Sequence, residues 1–242
     1  MSDLMASRWF TACTLGLSLG VALIASPALA QGAPGKDPVK PIKVEPIVRA
    51  QTATYAVDTD MTHDPDNVLL LDLSNGGRVA IRLMPEWAPH HIERIKTLTK
   101  EGFYNGVIFH RVIDGFMAQT GDPTGTGQGG SKLPDLNAEF NDNPHLRGTV
   151  SMARTDEPNT ANSQFFIVFY PRFALDHKYT NFGRVIAGMD IADAINRGEP
   201  PKSPTKIVQA SLASENKPAP APPAAAAPAT FTADMLSNSK SN

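Results

Sequence analysis

The sequence predicts a mainly β domain, a closed antiparallel barrel with helices over its ends. Three observations lead there. Between residues 66 and 214 the chain carries many short runs rich in Val, Ile, Leu and Phe. Only two segments in that stretch show helical spacing. Turn formers such as Asn75-Gly76 separate the runs. Short strands with few helices bury their apolar faces by curling into a barrel, which also removes exposed sheet edges.

The elements follow in order. Val68 to Leu73 is an apolar run, and Asn75-Gly76 makes the turn behind it. Val79, Ile81 and Leu83 then alternate with Arg78, Ala80 and Arg82, which predicts a hairpin whose second strand is half buried. Pro89 opens a helix with Ile92, Ile95 and Leu98 on one face and Glu93, Arg94 and Lys96 off it, and Gly102 ends it. Further strands are expected at Val107–Val112, Phe116–Gln119, Thr149–Ala153, Gln164–Phe169 and Asn181–Val185. Asp190–Asn196 reads as a second short helix closed by Gly198, and Ile207–Leu212 as the last strand.

The flanks have a different character. Arg8, the apolar run Leu15–Ala25 and the small-residue site Ala28-Leu29-Ala30 describe a secretory leader over residues 1–30, cut before Gln31. The run is shorter than the roughly 20 apolar residues needed to span a bilayer. The protein is therefore expected to be exported, to the periplasm or beyond, without stable membrane insertion. Residues 31–64, with Pro34, Pro38, Pro41 and Pro46, read as a Pro-rich disordered linker. Residues 215–242, which include KPAPAPPAAAAPAT, read as a Pro/Ala-rich disordered tail, and the domain proper is expected over 65–214.

Composition narrows the chemistry. The only cysteine, Cys13, lies in the leader, so the mature chain has no disulfide, thiolate nucleophile or Cys-based zinc site. A formal net charge of −2 argues against a nucleic-acid surface. His90 and His91 are neighbours and point about 100° apart on a helix, so they cannot face one metal. No metal and no cofactor is expected. GTGQGG at Gly125–Gly130 matches a dinucleotide fingerprint by letters but is followed by SKLPD instead of a helix start. Its glycines suit unusual backbone angles in a surface loop. Ser151 and Ser163 lack a nucleophile elbow, although a Ser-His-Asp set assembled across the fold stays open.

Two blocks remain: FHRVIDGFMAQTGD over Phe109–Asp122 and NSQFFIVF over Asn162–Phe169. The first sets a guanidinium, Arg111, and an amide, Gln119, beside Phe116 and Met117. That pairing suits holding an apolar residue and acting on it without covalent chemistry.

From Pro85 through Gly198 the chain resembles the cyclophilin-type peptidyl-prolyl isomerases of the bacterial kind. The resemblance rests on EGFYNGVIFHRVIDGFMAQTGDPTGTGQGG, AEFNDNPHLRGTVSMAR, NSQFFIVF and FALDHKYTNFGRVIAGMDIADAI, in that order. It implies an eight-stranded barrel capped by two α-helices, with the site on the outer face. It also implies a monomer that turns X-Pro bonds of proline-containing polypeptides and assists folding. By position Arg111 matches the catalytic arginine, and Gln119 the amide that steadies it and the substrate backbone. Phe116, Met117, Phe166 and Leu175 match the proline pocket. Ala153 and Arg154 fall where the residue before proline binds, with Arg154 in place of a frequent asparagine; Gln164 also belongs to the substrate-binding set. Two positions depart from the pattern. Ala174 stands where the family has Trp or Phe, so either Phe173 swings into the gap or the wall is thinner there. Tyr179 replaces a histidine at the rim. A non-catalytic proline-peptide binder or holdase on the same barrel is the alternative, and Arg111 discriminates, because a pure binder has no use for it.

Overall fold

The computed structural model describes residues 56–221; the expected leader, the linker up to residue 55 and the tail from residue 222 lie outside the described residues. Eight antiparallel strands and two α-helices run β1 (Val68–Leu73), β2 (Arg78–Leu83), α1 (Pro89–Lys100), β3 (Arg111–Ile113), β4 (Met117–Thr120), β5 (Thr149–Met152), β6 (Phe165–Val168), β7 (Asn181–Ala187), α2 (Met189–Asp193) and β8 (Ile207–Leu212). They form one curled sheet in the order β3-β4-β6-β5-β7-β2-β1-β8.

The expected full closure is corrected to a stitched seam. No ladder joins β3 to β8. Instead Ile108 and Val112 form isolated bridges to Lys206 and Gly198. Phe109 N–H donates to the Thr205 carbonyl at 2.9 Å and Ile207 N–H to that of Val107 at 2.9 Å. Residues 107–110, expected to lie within a strand, are spent on this seam, so the ladder to β4 begins only at Arg111. Helix α2 is also shorter than expected: it ends at Asp193, and Gly198 serves the seam instead of closing the helix.

Strand alternation sorts the side chains. Leu69, Leu71, Ile81, Leu83, Phe165 and Ile167 point inward, under Ile92, Ile95 and Leu98 of α1. Tyr104, Phe165 and Phe182 stack edge to face at 5.5 and 6.1 Å between ring centres. Helix α1 ends in a Schellman motif, with Phe103 N–H on the Leu98 carbonyl, Gly102 N–H on that of Thr99, and Gly102 at φ +72°. At its start the Glu139 carboxylate accepts from the backbone N–H and the Nδ1 of both His90 and His91, satisfying donors the helix leaves open.

Strand β2 is buried on both faces, not one. Ala80 and Arg82 are only 1% and 4% exposed: Ala80 packs with Val68 and Leu70 against Ile186 and Ala213, and residues 58–64 are wrapped over Arg82. The Arg82 guanidinium donates to the carbonyls of Asp58 (3.1 Å), Asp60 (2.5 Å), His63 (2.8 Å) and Asp64 (3.1 Å). Part of the expected linker is thus fastened to the barrel. On the other flank Arg78 holds buried Asp72 with two bonds, 2.7 and 2.9 Å, and also reaches the Lys217 carbonyl at 3.3 Å.

Candidate active site

The outer face of β3, β4 and β6 carries the site. Register pairs Arg111 with Gln119, Gln119 with Phe166 and Phe166 with Ser151, so these four side chains form one row across the sheet. Ile113, Met117 and Val168 form the next row. Met117, Phe166 and Val168 with Ala153 make an apolar cluster separate from the barrel interior, flanked by Phe116, Leu175 and Tyr179. Because Ile113–Gly115 turns β3 tightly into β4, Phe116 N–H closes on the Ile113 carbonyl and sets its ring at the cleft edge.

A cleft of about 240 Å³ opens there, lined by Arg111, Phe116, Met117, Gln119, Ala153, Arg154, Phe166, Leu175 and Tyr179. Nine of the eleven expected site residues thus meet in one place. Gln164 lines an adjoining, more polar hollow of about 610 Å³ and touches the cleft through Gln119 and Arg154, which border both. Phe173 lines neither and is 63% exposed. It starts the 3-10 turn Phe173–Leu175, whose three residues per turn send Phe173 and Leu175 in different directions. Leu175 faces the cleft, Phe173 faces solvent, and the wall at Ala174 stays open.

The polar partners also differ from expectation. Gln119 Nε2 donates to Gln164 Oε1 at 2.8 Å, and Gln164 Nε2 donates to the carbonyls of Gly127 and Gly129. The group that steadies Arg111 is Glu199, whose Oε2 accepts from Arg111 Nε at 2.7 Å. The two Nη groups of Arg111 have no partner among the described residues. Arg154, replacing the asparagine, lies over the Tyr179 ring at 4.7 Å, and Tyr179 meets Phe166 edge-on at 5.7 Å. Arg154, Tyr179 and Phe166 are therefore one stacked unit at the rim. Arg172 caps Phe116 from outside at 5.0 Å. Neither Glu199 nor Arg172 carries a sequence signal, since each reaches the site by folding alone.

The GTGQGG loop borders the polar hollow. Asp122, fully buried, accepts from the N–H of Thr124, Gly127 and Gly129 and from the Thr124 hydroxyl. Burial alone raises its pKa, but these bonds outweigh that and bring it down to about 2. Gly127 sits at φ +82°, and a Cβ on Gly129 would collide with Asp122 Oδ1. The glycines serve a carboxylate-centred turn, as the loop reading expected.

A Ser-His-Asp connection does exist. Ser151 Oγ lies 2.8 Å from His145 Nε2, and His145 Nδ1 lies 2.7 Å from Asp176 Oδ1. Ser151 and His145 are 0% and 1% exposed, so no substrate reaches the hydroxyl. Burial also holds the His145 pKa below its usual value, against the pull of Asp176. The set works as a buried tie: it joins Asp176, next to cleft residue Leu175, to Ser151, the cross-strand neighbour of Phe166.

Comparison with known proteins decides the family. Residues 69–212 match the model described as cyclophilin type peptidyl-prolyl cis-trans isomerase/CLD. The chain belongs to the cyclophilin-type peptidyl-prolyl cis-trans isomerases. It is 47% identical over 178 residues to a protein of Brucella suis biovar 1 (strain 1330) named "Probable peptidyl-prolyl cis-trans isomerase", covering 67% of this chain and 90% of that one. It is 42% identical to a peptidyl-prolyl cis-trans isomerase of Schizosaccharomyces pombe (strain 972), covering 55% and 92%. Among solved structures, a cyclophilin of Hirschia baltica superposes with a TM-score of 0.59 at 32% identity, covering 64% of this chain and 77% of that one. A Cryptosporidium parvum cyclophilin-type isomerase, solved in the presence of the dipeptide Ala-Pro, gives 0.56 at 29%, covering 60% and 98%. The cyclophilin domain thus accounts for the curled eight-stranded sheet and its outer-face cleft.

Proposed function

We propose that this isomerase turns X-Pro bonds in the Arg111 cleft, with the proline ring against Phe116, Met117, Phe166 and Leu175. A single observation carries the assignment: a guanidinium whose two Nη groups have no partner among the described residues stands at the edge of an apolar cleft of about 240 Å³.

Rotation about an X-Pro bond crosses a barrier of roughly 18–20 kcal/mol because it breaks amide resonance. As the bond twists, the prolyl nitrogen regains a lone pair that the planar amide does not offer. The Arg111 Nη groups donate to that nitrogen only then, so they stabilise the transition state over the ground state. Lowering the barrier by about 5.4 kcal/mol accelerates exchange by about 10⁴. The apolar walls hold the ring while the preceding residue swings past Ala153 and Arg154. No bond to protein forms, and no proton, metal or cofactor takes part.

We further propose that the enzyme works as a monomer on proline-containing polypeptides and, from the leader expected over residues 1–30, that it does so outside the cytoplasm. Arg111→Ala is expected to lose most exchange of a proline tetrapeptide while its circular dichroism matches the parent; a mutant as fast as the parent would remove Arg111 from the mechanism. Export is tested by N-terminal sequencing of the periplasmic protein, which should begin at Gln31. Retention of residues 1–30 in a cytoplasmic pool would overturn it.

A further inference from the structure

On the reading that Arg111 is the catalytic cation, we propose that Glu199 is its positioning residue, holding the guanidinium by Nε so that both Nη groups face the cleft. The seam dictates this arrangement. Val112 and Gly198 exchange N–H···O bonds of 2.8 and 2.9 Å across it. In antiparallel pairing the residues one step out, Arg111 and Glu199, are then cross-strand neighbours on the same face. The row Ser151–Phe166–Gln119–Arg111 therefore continues over the seam to Glu199.

The contact is a charge-assisted bond of 2.7 Å to Nε. It takes the one nitrogen that lies back along the side chain. Arginine loses much rotamer freedom when fixed, and fixing it before substrate arrives removes that cost from the transition state. Gln119, the neighbour on the other flank, is engaged with Gln164 and does not hold Arg111. The carboxylate is itself well placed. Pro200 and Pro201 follow it with fixed φ, and on the other side Arg197 is tied to the Ile195 carbonyl and to Asp114. Two ion pairs, Arg111–Glu199 and Arg197–Asp114, thus flank the Val112–Gly198 bridge. The Arg111 and Glu199 side chains are 43% and 52% exposed, so the pair adds little to stability and its effect belongs in turnover.

The test is an uncoupled cis/trans exchange assay on an uncharged proline tetrapeptide. It compares the parent, Glu199→Ala, Glu199→Gln, Arg111→Ala and the Glu199→Ala/Arg111→Ala double variant. Glu199→Ala should lower kcat by about three- to tenfold with KM changed less than about twofold and the unfolding midpoint unmoved. Glu199→Gln, which keeps an acceptor but no charge, should fall between. In the Arg111→Ala background Glu199→Ala should cost nothing more, because it acts only through Arg111. Raising salt toward about 1 M should slow the parent toward the Glu199→Ala rate and leave that variant unchanged. An unchanged or raised kcat in Glu199→Ala, or an equal loss in both backgrounds, overturns the proposal. If Arg111→Ala alone keeps full activity, the assignment of Arg111 fails, and Glu199 falls with it.

Discussion

Asp122→Asn isolates one buried carboxylate and gives a stability loss that depends on pH in a calculable way. Asp122 is fully buried, and four donors around it outweigh its burial to lower its pKa from 3.8 to about 2. At about 1.36 kcal/mol per pH unit, that difference corresponds to about 2 kcal/mol of stability. The folded pKa lies below the unfolded one, so folding favours the deprotonated form. The stabilisation is full above the unfolded value of 3.8 and is lost as pH falls through it toward 2. Asparagine is close to the carboxyl group in shape and, like the protonated acid, carries no charge. The variant should therefore be about 2 kcal/mol less stable at pH 7, and the gap should have closed to about half by pH 3. Urea unfolding of both proteins at pH 7, 5, 4 and 3 measures it. Carboxylates such as Glu139, also held low, titrate in both proteins and cancel in the difference. A gap as wide at pH 3 as at pH 7 would show that Asp122 acts by packing and not by its charge.

Three other outcomes are expected. Arg82→Ala removes four carbonyl contacts and should cost about 1–3 kcal/mol. Limited proteolysis should then cut residues 58–64 at least several-fold faster than in the parent, and an unchanged cleavage rate would count against the anchor. Ser151 should resist a serine-reactive phosphonate, and Ser151→Ala should cost about 1–3 kcal/mol by leaving His145 Nε2 unpaired; a labelled Ser151 in mass spectra would reopen hydrolysis. With Phe173 turned outward and Ala174 exposed, cyclosporin, the cyclic-peptide inhibitor of this family, should inhibit only weakly, and Ala174→Trp should tighten inhibition at least several-fold; nanomolar inhibition of the parent would refute the open wall.

Much of this molecule is legible in its sequence because strand alternation and turn chemistry are local. Pro89 and Gly102 bound α1 as they should, and the Phe165/Phe166 alternation already separates barrel interior from cleft. What could not be read depends on pairings far apart in the chain. Residues 107–110 look like strand, but which partner they take is decided at Thr205–Ile207. Arg82 reads as the solvent face of a hairpin until residues 58–64 are seen to cover it. Glu199 stands 88 residues from Arg111, and only the seam makes them neighbours. Phe173 and Ala174 differ from a pattern by one step, and a 3-10 turn, which sequence does not announce, sent the ring to solvent.

Both flanks of the domain are fastened to one strand. Residues 58–64 are held by Arg82 and Lys217 by Arg78, and both arginines belong to β2. In the circle of eight strands completed by the seam, β2 and β4 stand four places apart whichever way the circle is counted. The held parts of both flanks, residues 58–64 and Lys217, therefore lie on the side opposite the cleft. The geometry is that of a tool gripped by its back: the contacts that hold the described flanks take nothing from the working face.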